Sequence, residues 1–276
     1  MLRLGTLELE CPAVMGILNV TPDSFSDGGR FVARDAALRQ AELMAAAGAA
    51  IIDVGGESTR PGAGSVSEQQ ELDRILPAID AIRDVADTPI SVDTSKPNVM
   101  RAAVIAGAAM INDVRALQVD GALQAAIELD RPVCLMHMQG MPRTMQKEPA
   151  YDDIVVEVGS FLRQRVAQCR GAGLNRDLIV IDPGFGFGKT HVHNIELLAN
   201  LRELRDIGQP MLVGLSRKST LGELTGRNVE ERLSASIAAA VLAVMQGVHI
   251  VRAHDVAETV DALRIADAVM EAGERR

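Results

Sequence analysis

The sequence predicts an α/β fold: a single (β/α)8 TIM barrel filling residues 1–276, with its site at the C-terminal ends of the strands. Three features predict it. Eight times, a short apolar run ends in a polar or charged residue and an amphipathic segment follows. Near-continuous apolar strands alternating with helices describe a parallel sheet covered on both faces. Helix-to-strand connections are short, as at Gly48-Ala49-Ala50 and Gly107-Ala108-Ala109. Strand-to-helix connections (Thr21–Arg30, Gly55–Gly64, Met138–Tyr151, Pro183–His191) are longer and rich in Gly, Pro and polar residues. The long loops therefore fall on the side of the polar strand ends, where barrel enzymes keep their chemistry. Finally, no low-complexity linker or shift in composition divides the chain.

The elements follow in order. Val14–Val20 carries Asn19 and passes through a turn-rich loop into a helix over Ala33–Ala47. Ile51–Val54 contains Asp53 and precedes a helix over Ser67–Val85, where Ser67 and Gln70 have capping-box spacing. Ile90–Val92 stops at Asp93, and Ser95 with Pro97 opens the helix Pro97–Ala106. Met110-Ile111 stops at Asn112-Asp113 before a helix over Val119–Leu129. Val133–Met136 stops at His137 before Asp152–Gly171, and Leu178–Ile181 stops at Asp182 before Val192–Asp206. Met211–Leu215 runs into Ser216-Arg217-Lys218 and a helix start, with a longer helix over Val229–Met245. His249–Val251 leads to Arg252, His254 and a helix over Val256–Ala272. Gly48, Gly107, Gly173 and Gly247 each stand just before a strand, as helix-terminating glycines do.

Composition excludes several function classes. A net charge of −9 argues against a nucleic-acid surface, and an aromatic content of 2% leaves no stacking platform. Cys11, Cys134 and Cys169 form neither a disulfide framework nor a zinc pattern, which fits a reducing compartment. The acidic N-terminus has no apolar signal region, and the alanine-rich run Ala235–Met245 falls short of the roughly 20 residues that span a bilayer. The expected location is cytoplasmic.

Asp93, Asn112 and Asp182 end successive or nearby strands. One such carboxylate is as readily a structural ion pair, but several at one mouth are costly to desolvate unless a ligand supplies donors. A carboxylate accepts paired N–H donors from a planar edge such as a pterin or guanine. On this reading Asp182 and Asn112 take that edge, leaving Asp93 free for developing positive charge. The loop from Asp182 to Thr190 is not a nucleotide P-loop, because Gly184 lies only five positions before Lys189. It is either a flexible loop or a backbone bed for a flat ligand walled by Phe187. Arg60, Arg217, Lys218 and Arg252 lie at or beyond strand ends and are candidate cations for an anionic group. Ser216–Ser219 reads as a helix-start anion site. Arg252 and His254, two apart, share a face suited to phosphate, although His254 also reads as a structural histidine. The Asn19 amide is either a turn former or one oxygen of a Mg²⁺ shell completed by water and pyrophosphate. His137 reads as structural, and His191 and His193 have no metal-site spacing.

Together these segments resemble the dihydropteroate synthase family. The resemblance rests on MGILNVTPDSFSDGG (Met15–Gly29), DVGGESTRPG (Asp53–Gly62), Ser91–Ser95, Ile111–Val114, Leu135–Gly140, Asp182–Thr190, Gly214–Ser219 and Arg252–Val256, with Ala253 a minor variation. It implies a transferase of folate biosynthesis that condenses 6-hydroxymethyl-7,8-dihydropterin diphosphate with p-aminobenzoate, giving 7,8-dihydropteroate and pyrophosphate. It further implies that Asp93, Asn112, Asp182 and Lys218, with Met136 and Phe187, bind the pterin. Arg60, Arg252 and His254 are implied as pyrophosphate ligands and Asn19 as the Mg²⁺ contact. Phe25, Pro61, Phe187, Thr59 and Ser219 are implied around p-aminobenzoate, where sulfonamides compete in this family. A homodimer is the implied assembly, with the alanine-rich later helices as the candidate contact. Two other readings share the pterin carboxylates: a pterin-barrel methyltransferase and a non-catalytic pterin-binding paralogue. The methyltransferase does not need the Phe25 loop or Ser216–Ser219, and the paralogue should lack the first-loop or p-aminobenzoate residues, which are present here.

Overall fold

In the computed structural model of the protein, residues 1–21, 30–58, 64, 66–141 and 144–274 are described. Eight parallel strands wind in chain order: β3 (Ala13–Asn19), β4 (Ile51–Gly55), β5 (Ile90–Asp93), β6 (Met110–Asp113), β7 (Val133–Met136) and β8 (Ile179–Asp182), then β9 (Leu212–Val213) and β10 (Ile250–Ala253). β10 pairs with β3, and a parallel bridge between Ile181 and Met211 joins β8 to the β9 side, so the ring closes. This is the expected (β/α)8 barrel. Helices α1 (Arg30–Ala46), α2 (Glu68–Val85), α3 (Pro97–Ala106), α4 (Ala122–Leu129), α5 (Ile154–Gly171), α6 (His191–Ala199), α7 (Ser219–Thr225), α8 (Leu233–Met245) and α9 (Val256–Glu274) follow the strands.

A hairpin of β1 (Leu2–Leu4) and β2 (Leu7–Leu9), not expected from the sequence pattern, precedes the barrel. It plugs the barrel. Leu4, Leu7 and Leu9 pack with Met15, Ile51, Met110, Cys134, Val180, Leu212 and Ile250 in a core of their own inside the ring. The larger core lies between the strands and the outer helices. Strand side chains alternate, so the residue two further along each inward-facing position points inward again. From Ile51, Met110, Val180 and Ile250 that step reaches Asp53, Asn112, Asp182 and Arg252. The barrel interior thus changes from apolar to charged within one residue pair, and the charged layer forms the floor of the site.

Local signals account for the helix limits. Ser67 and Gln70 make the expected reciprocal capping box at α2. Pro97 opens α3, but Lys96 is the cap residue, and the Ser95 hydroxyl instead donates to Asp113. α4 starts three residues later than expected. Asp113 accepts from the Arg115 and Leu117 N–H groups, and Arg165 donates to the Ala116 and Leu117 carbonyls, which together hold a non-helical turn. The helix expected over Val192–Asp206 divides into α6 and a 3-10 helix, Leu201–Ile207. Leu197, Leu201 and Leu204 are buried in either geometry, so apolar spacing could not separate them. Likewise Val229–Glu231 is a separate 3-10 turn before α8. Among the described residues no helix is long and apolar enough to cross a membrane.

Candidate active site

Arg252 stands at the centre of the charged floor. Its Nε donates to Asp53 Oδ2 at 2.6 Å and its Nη2 to Asp93 Oδ2 at 3.0 Å. Asn112 Nδ2 donates to the same Asp53 oxygen at 3.1 Å. Asp53 is fully buried and therefore joins the cationic and amide sides of the site. Its role is not among those the sequence pattern assigns. The available signal was its position two residues after inward-facing Ile51. Asp93 is also not free, as the sequence pattern had it, because it shares the guanidinium with Asp53. Burial pushes the Asp93 carboxyl up to about 7; Arg252 opposes the shift, and Asp53, Glu71 and Asp113 add to it.

Asp182, at the end of β8, accepts from the Gly184 N–H at 2.7 Å. Burial raises its carboxyl to about 6, against the Gly184 bond and the positive charges of Lys218, Lys189 and Arg252. Gly184 is required where it stands. Its φ is +71°, and a Cβ there would lie 1.9 Å from the His137 carbonyl oxygen. The loop beyond it is pinned throughout. Gly186 N–H donates to Asn194, the Gly186 carbonyl accepts from Gln146, and the Gly188 carbonyl accepts from the Tyr151 hydroxyl. These bonds tie the loop to its neighbours at three points.

The Phe187 ring lies with its face 4.4 Å from Lys218 Nζ. Burial and Arg252 lower the Lys218 ammonium to about 8, while Asp182 and Asp93 favour its charged form. Met136, buried at the end of β7, borders a neighbouring cavity with Val114, Val119 and Met138. A flat wall, a cation and carboxylates at strand ends thus come together at one mouth, which suits a planar, donor-rich ligand.

Beyond β9, His254 Nδ1 lies 3.0 Å from Ser216 Oγ. Ser219 begins α7 and is exposed. Arg217 is turned away from its candidate role, because it forms an ion pair with Asp255 at 2.5 Å. Asn19 is half-buried at the end of β3. A Cβ on Gly55 would meet Asn19 Oδ1 at 3.4 Å and Asp93 Oδ2 at 3.8 Å, so glycine there keeps space open between two oxygen donors. One amide oxygen beside a carboxylate fits Mg²⁺ that is shared with a substrate's phosphates. Among the described residues no cluster of three His, Cys, Asp or Glu forms a closed metal cage. Phe25, Thr59, Arg60 and Pro61 lie outside the described residues.

A closed barrel whose strand ends gather buried carboxylates, an amide and balancing cations at one mouth defines the class of barrel proteins with a charged candidate active site, suited to a planar, donor-rich ligand. The comparisons make the class specific. The model of the family described as pterin binding enzyme matches residues 15–254. A dihydropteroate synthase of Escherichia coli (strain K12) is 53% identical over 271 residues, 98% of this chain and 96% of the relative. The Yersinia pestis dihydropteroate synthase, solved with a sulfonamide drug complex, superposes with a TM-score of 0.93 at 50% identity, covering 98% of this chain and 99% of that one. The Xanthomonas albilineans enzyme, solved with 7,8-dihydropteroate, gives 0.87 at 48% identity over 96% and 95% of the two chains. The chain belongs to the pterin binding enzyme family, among its dihydropteroate synthases, and is a transferase.

Proposed function

We propose that the protein condenses 6-hydroxymethyl-7,8-dihydropterin diphosphate with p-aminobenzoate, releasing 7,8-dihydropteroate and pyrophosphate. The observation that carries this reading is the convergence of Asp93, Asn112, Asp182 and Lys218 beside the Phe187 wall. Asp182 receives paired N–H donors of the pterin, and the Asn112 amide contributes beside it. Lys218 and the Phe187 and Met136 side chains hold the ring.

Departure of pyrophosphate by a dissociative path leaves positive charge on the pterin's exocyclic carbon. The Asp93 carboxylate stabilises that charge once Arg252 transfers part of its bonding to the diphosphate, with His254 and Arg60 as further ligands. A Mg²⁺ ion held by Asn19 and the diphosphate would neutralise the leaving group. The arylamine then attacks the carbon, its proton leaves to solvent, and no enzyme nucleophile takes part. Phe25, Pro61 and Phe187 enclose the aryl ring, with its carboxylate at Ser219 and Thr59. A homodimer in the cytoplasm completes the reading.

The deciding assay is pyrophosphate release that requires both p-aminobenzoate and the pterin diphosphate. Methyl transfer without pyrophosphate, or pterin binding without turnover, overturns the proposal in favour of the methyltransferase or the non-catalytic paralogue.

A further inference from the structure

Lys189 is a lysine with 3% exposure that makes no ion pair with a carboxylate among the described residues. Its ammonium donates to the Gly184 carbonyl at 2.9 Å and the Phe187 carbonyl at 3.1 Å, and lies 2.9 Å from His137 Nδ1. All three partners are neutral acceptors. His137 is itself lowered to about 3 by burial and by Lys189, so the ring is neutral, and the adjacent ammonium favours the tautomer whose Nδ1 accepts. Burying a cation among neutral groups is expensive, and a neutral side chain able to donate hydrogen bonds would tie the loop at less cost. The charge therefore calls for a separate explanation.

The one ionisable acid beside it is Asp182. The same turn that Lys189 clasps through Gly184 O delivers the Gly184 N–H to Asp182 Oδ1. We propose that Lys189 is a positioning residue: its buried charge keeps Asp182 an acceptor-only carboxylate, and its three bonds hold the Gly184–Phe187 turn against the pocket. The inference rests on the proposed reading of Asp182 as the pterin's partner. Lys189's location explains why the loop retains a lysine without P-loop spacing: its charge points inward, behind the acid, and not at a phosphate.

Several groups face this pair. Asp182 meets Lys218 at the start of α7, Arg252 on β10, the Cys134 thiol on β7 and Lys189 in its own loop. Lys189 meets Asp182, Lys218 and the neutral His137, while the Tyr151 hydroxyl is occupied by Gly188. Lys189 is lowered to about 7, above the value of about 6 for Asp182. Each group favours the charged form of the other, Asp182 holding the Lys189 ammonium up and Lys189 holding the Asp182 carboxyl down.

Lys189→Gln separates charge from bonding, because the amide can still donate to both carbonyls. The Asp182 titration is read in the ligand-free protein by carbon NMR of labelled aspartate, assigned with Asp182→Asn. Loss of an opposite charge within about 4–6 Å raises a carboxyl by about one pH unit or more. The Asp182 midpoint is therefore expected to rise by at least that much in Lys189→Gln and to stay near its native value in Lys189→Arg. Affinity for 6-hydroxymethylpterin at pH 6 should fall at least about fivefold in Lys189→Gln and recover towards the native value by pH 8. Where Lys189→Gln does not fold, Lys189→Met removes the charge together with its bonds, and the Asp182 midpoint in the ligand-free protein alone is then read. An unchanged Asp182 midpoint, or an affinity loss equal at every pH, overturns the inference. A native protein that binds no 6-hydroxymethylpterin overturns the functional reading, and the ligand-free titration still decides the role of Lys189.

Discussion

Asp93→Asn should make the ligand-free protein more stable while removing most of its turnover. Two carboxylates, Asp53 and Asp93, share the single Arg252 guanidinium, and both are buried. Asp93 is raised from 3.8 to about 7, so the folded state holds its proton over a range where the unfolded chain has released it. Between those values the folded state binds more protons, and stability falls as pH rises. This contribution is complete below about 4 and lost by about 7. Each pH unit is about 1.4 kcal/mol, so the raised value lowers stability by roughly 2 kcal/mol at pH 5, where folding must take up a proton, and by up to about 4 kcal/mol at pH 8, where Asp93 is ionised while buried. An asparagine resembles the protonated acid and avoids that cost. The variant should therefore gain up to about 4 kcal/mol at pH 8 and about half as much at pH 5. Urea unfolding at the two pH values measures this, provided the denaturant slope is unchanged. Pyrophosphate release should fall by at least about a hundredfold, consistent with a charge placed for a transition state. A variant less stable than the native protein at pH 8, or a gain independent of pH, refutes the reasoning. Turnover near the native value removes Asp93 from its proposed role.

Three further outcomes are expected. The kcat/KM for the pterin substrate should be bell-shaped, rising through about 6 to 7 as Asp182 and Asp93 ionise and falling above about 8 as Lys218 loses its charge. A flat profile between pH 5 and 9 counts against that assignment. Gly184→Ala, at φ +71° with a Cβ 1.9 Å from a carbonyl oxygen, should cost about 3 kcal/mol or more in urea unfolding; a loss below about 1 kcal/mol contradicts the close approach. Asn19→Ala should raise the Mg²⁺ concentration for half-maximal activity by about tenfold and leave the melting temperature within a few degrees, because the side chain is half-buried at the mouth. An unchanged Mg²⁺ requirement excludes Asn19 as a contact.

The repeated pattern of apolar runs ending in polar residues determined the barrel and the end that carries the site. Strand and helix periods are local, and eight units in tandem have few other ways to bury their apolar faces. The Ser67–Gln70 capping box marked α2 and the first-turn Pro97 marked α3 for the same reason. Asp93, Asn112, Asp182, Lys218 and Arg252 were legible because each sits where a strand ends. What each of them touches was not. Arg252 and Asp53 are 199 positions apart in the chain and join only when β10 closes against β3 and brings its inward face opposite β4. Arg217 and Lys218 are neighbours in sequence, yet one pairs outward with Asp255 and the other faces Phe187. The N-terminal hairpin carries too short a pattern to announce itself, and its purpose exists only in a barrel with an open bottom. Lys189 was no more than a loop lysine until folding enclosed it with His137 and Asp182. Sequence alone settled the architecture and the ring of candidate groups, because those follow from local periodicity. Tertiary structure decided which charges share partners and which are desolvated, because burial and pairing belong to residues that only the closed ring brings together.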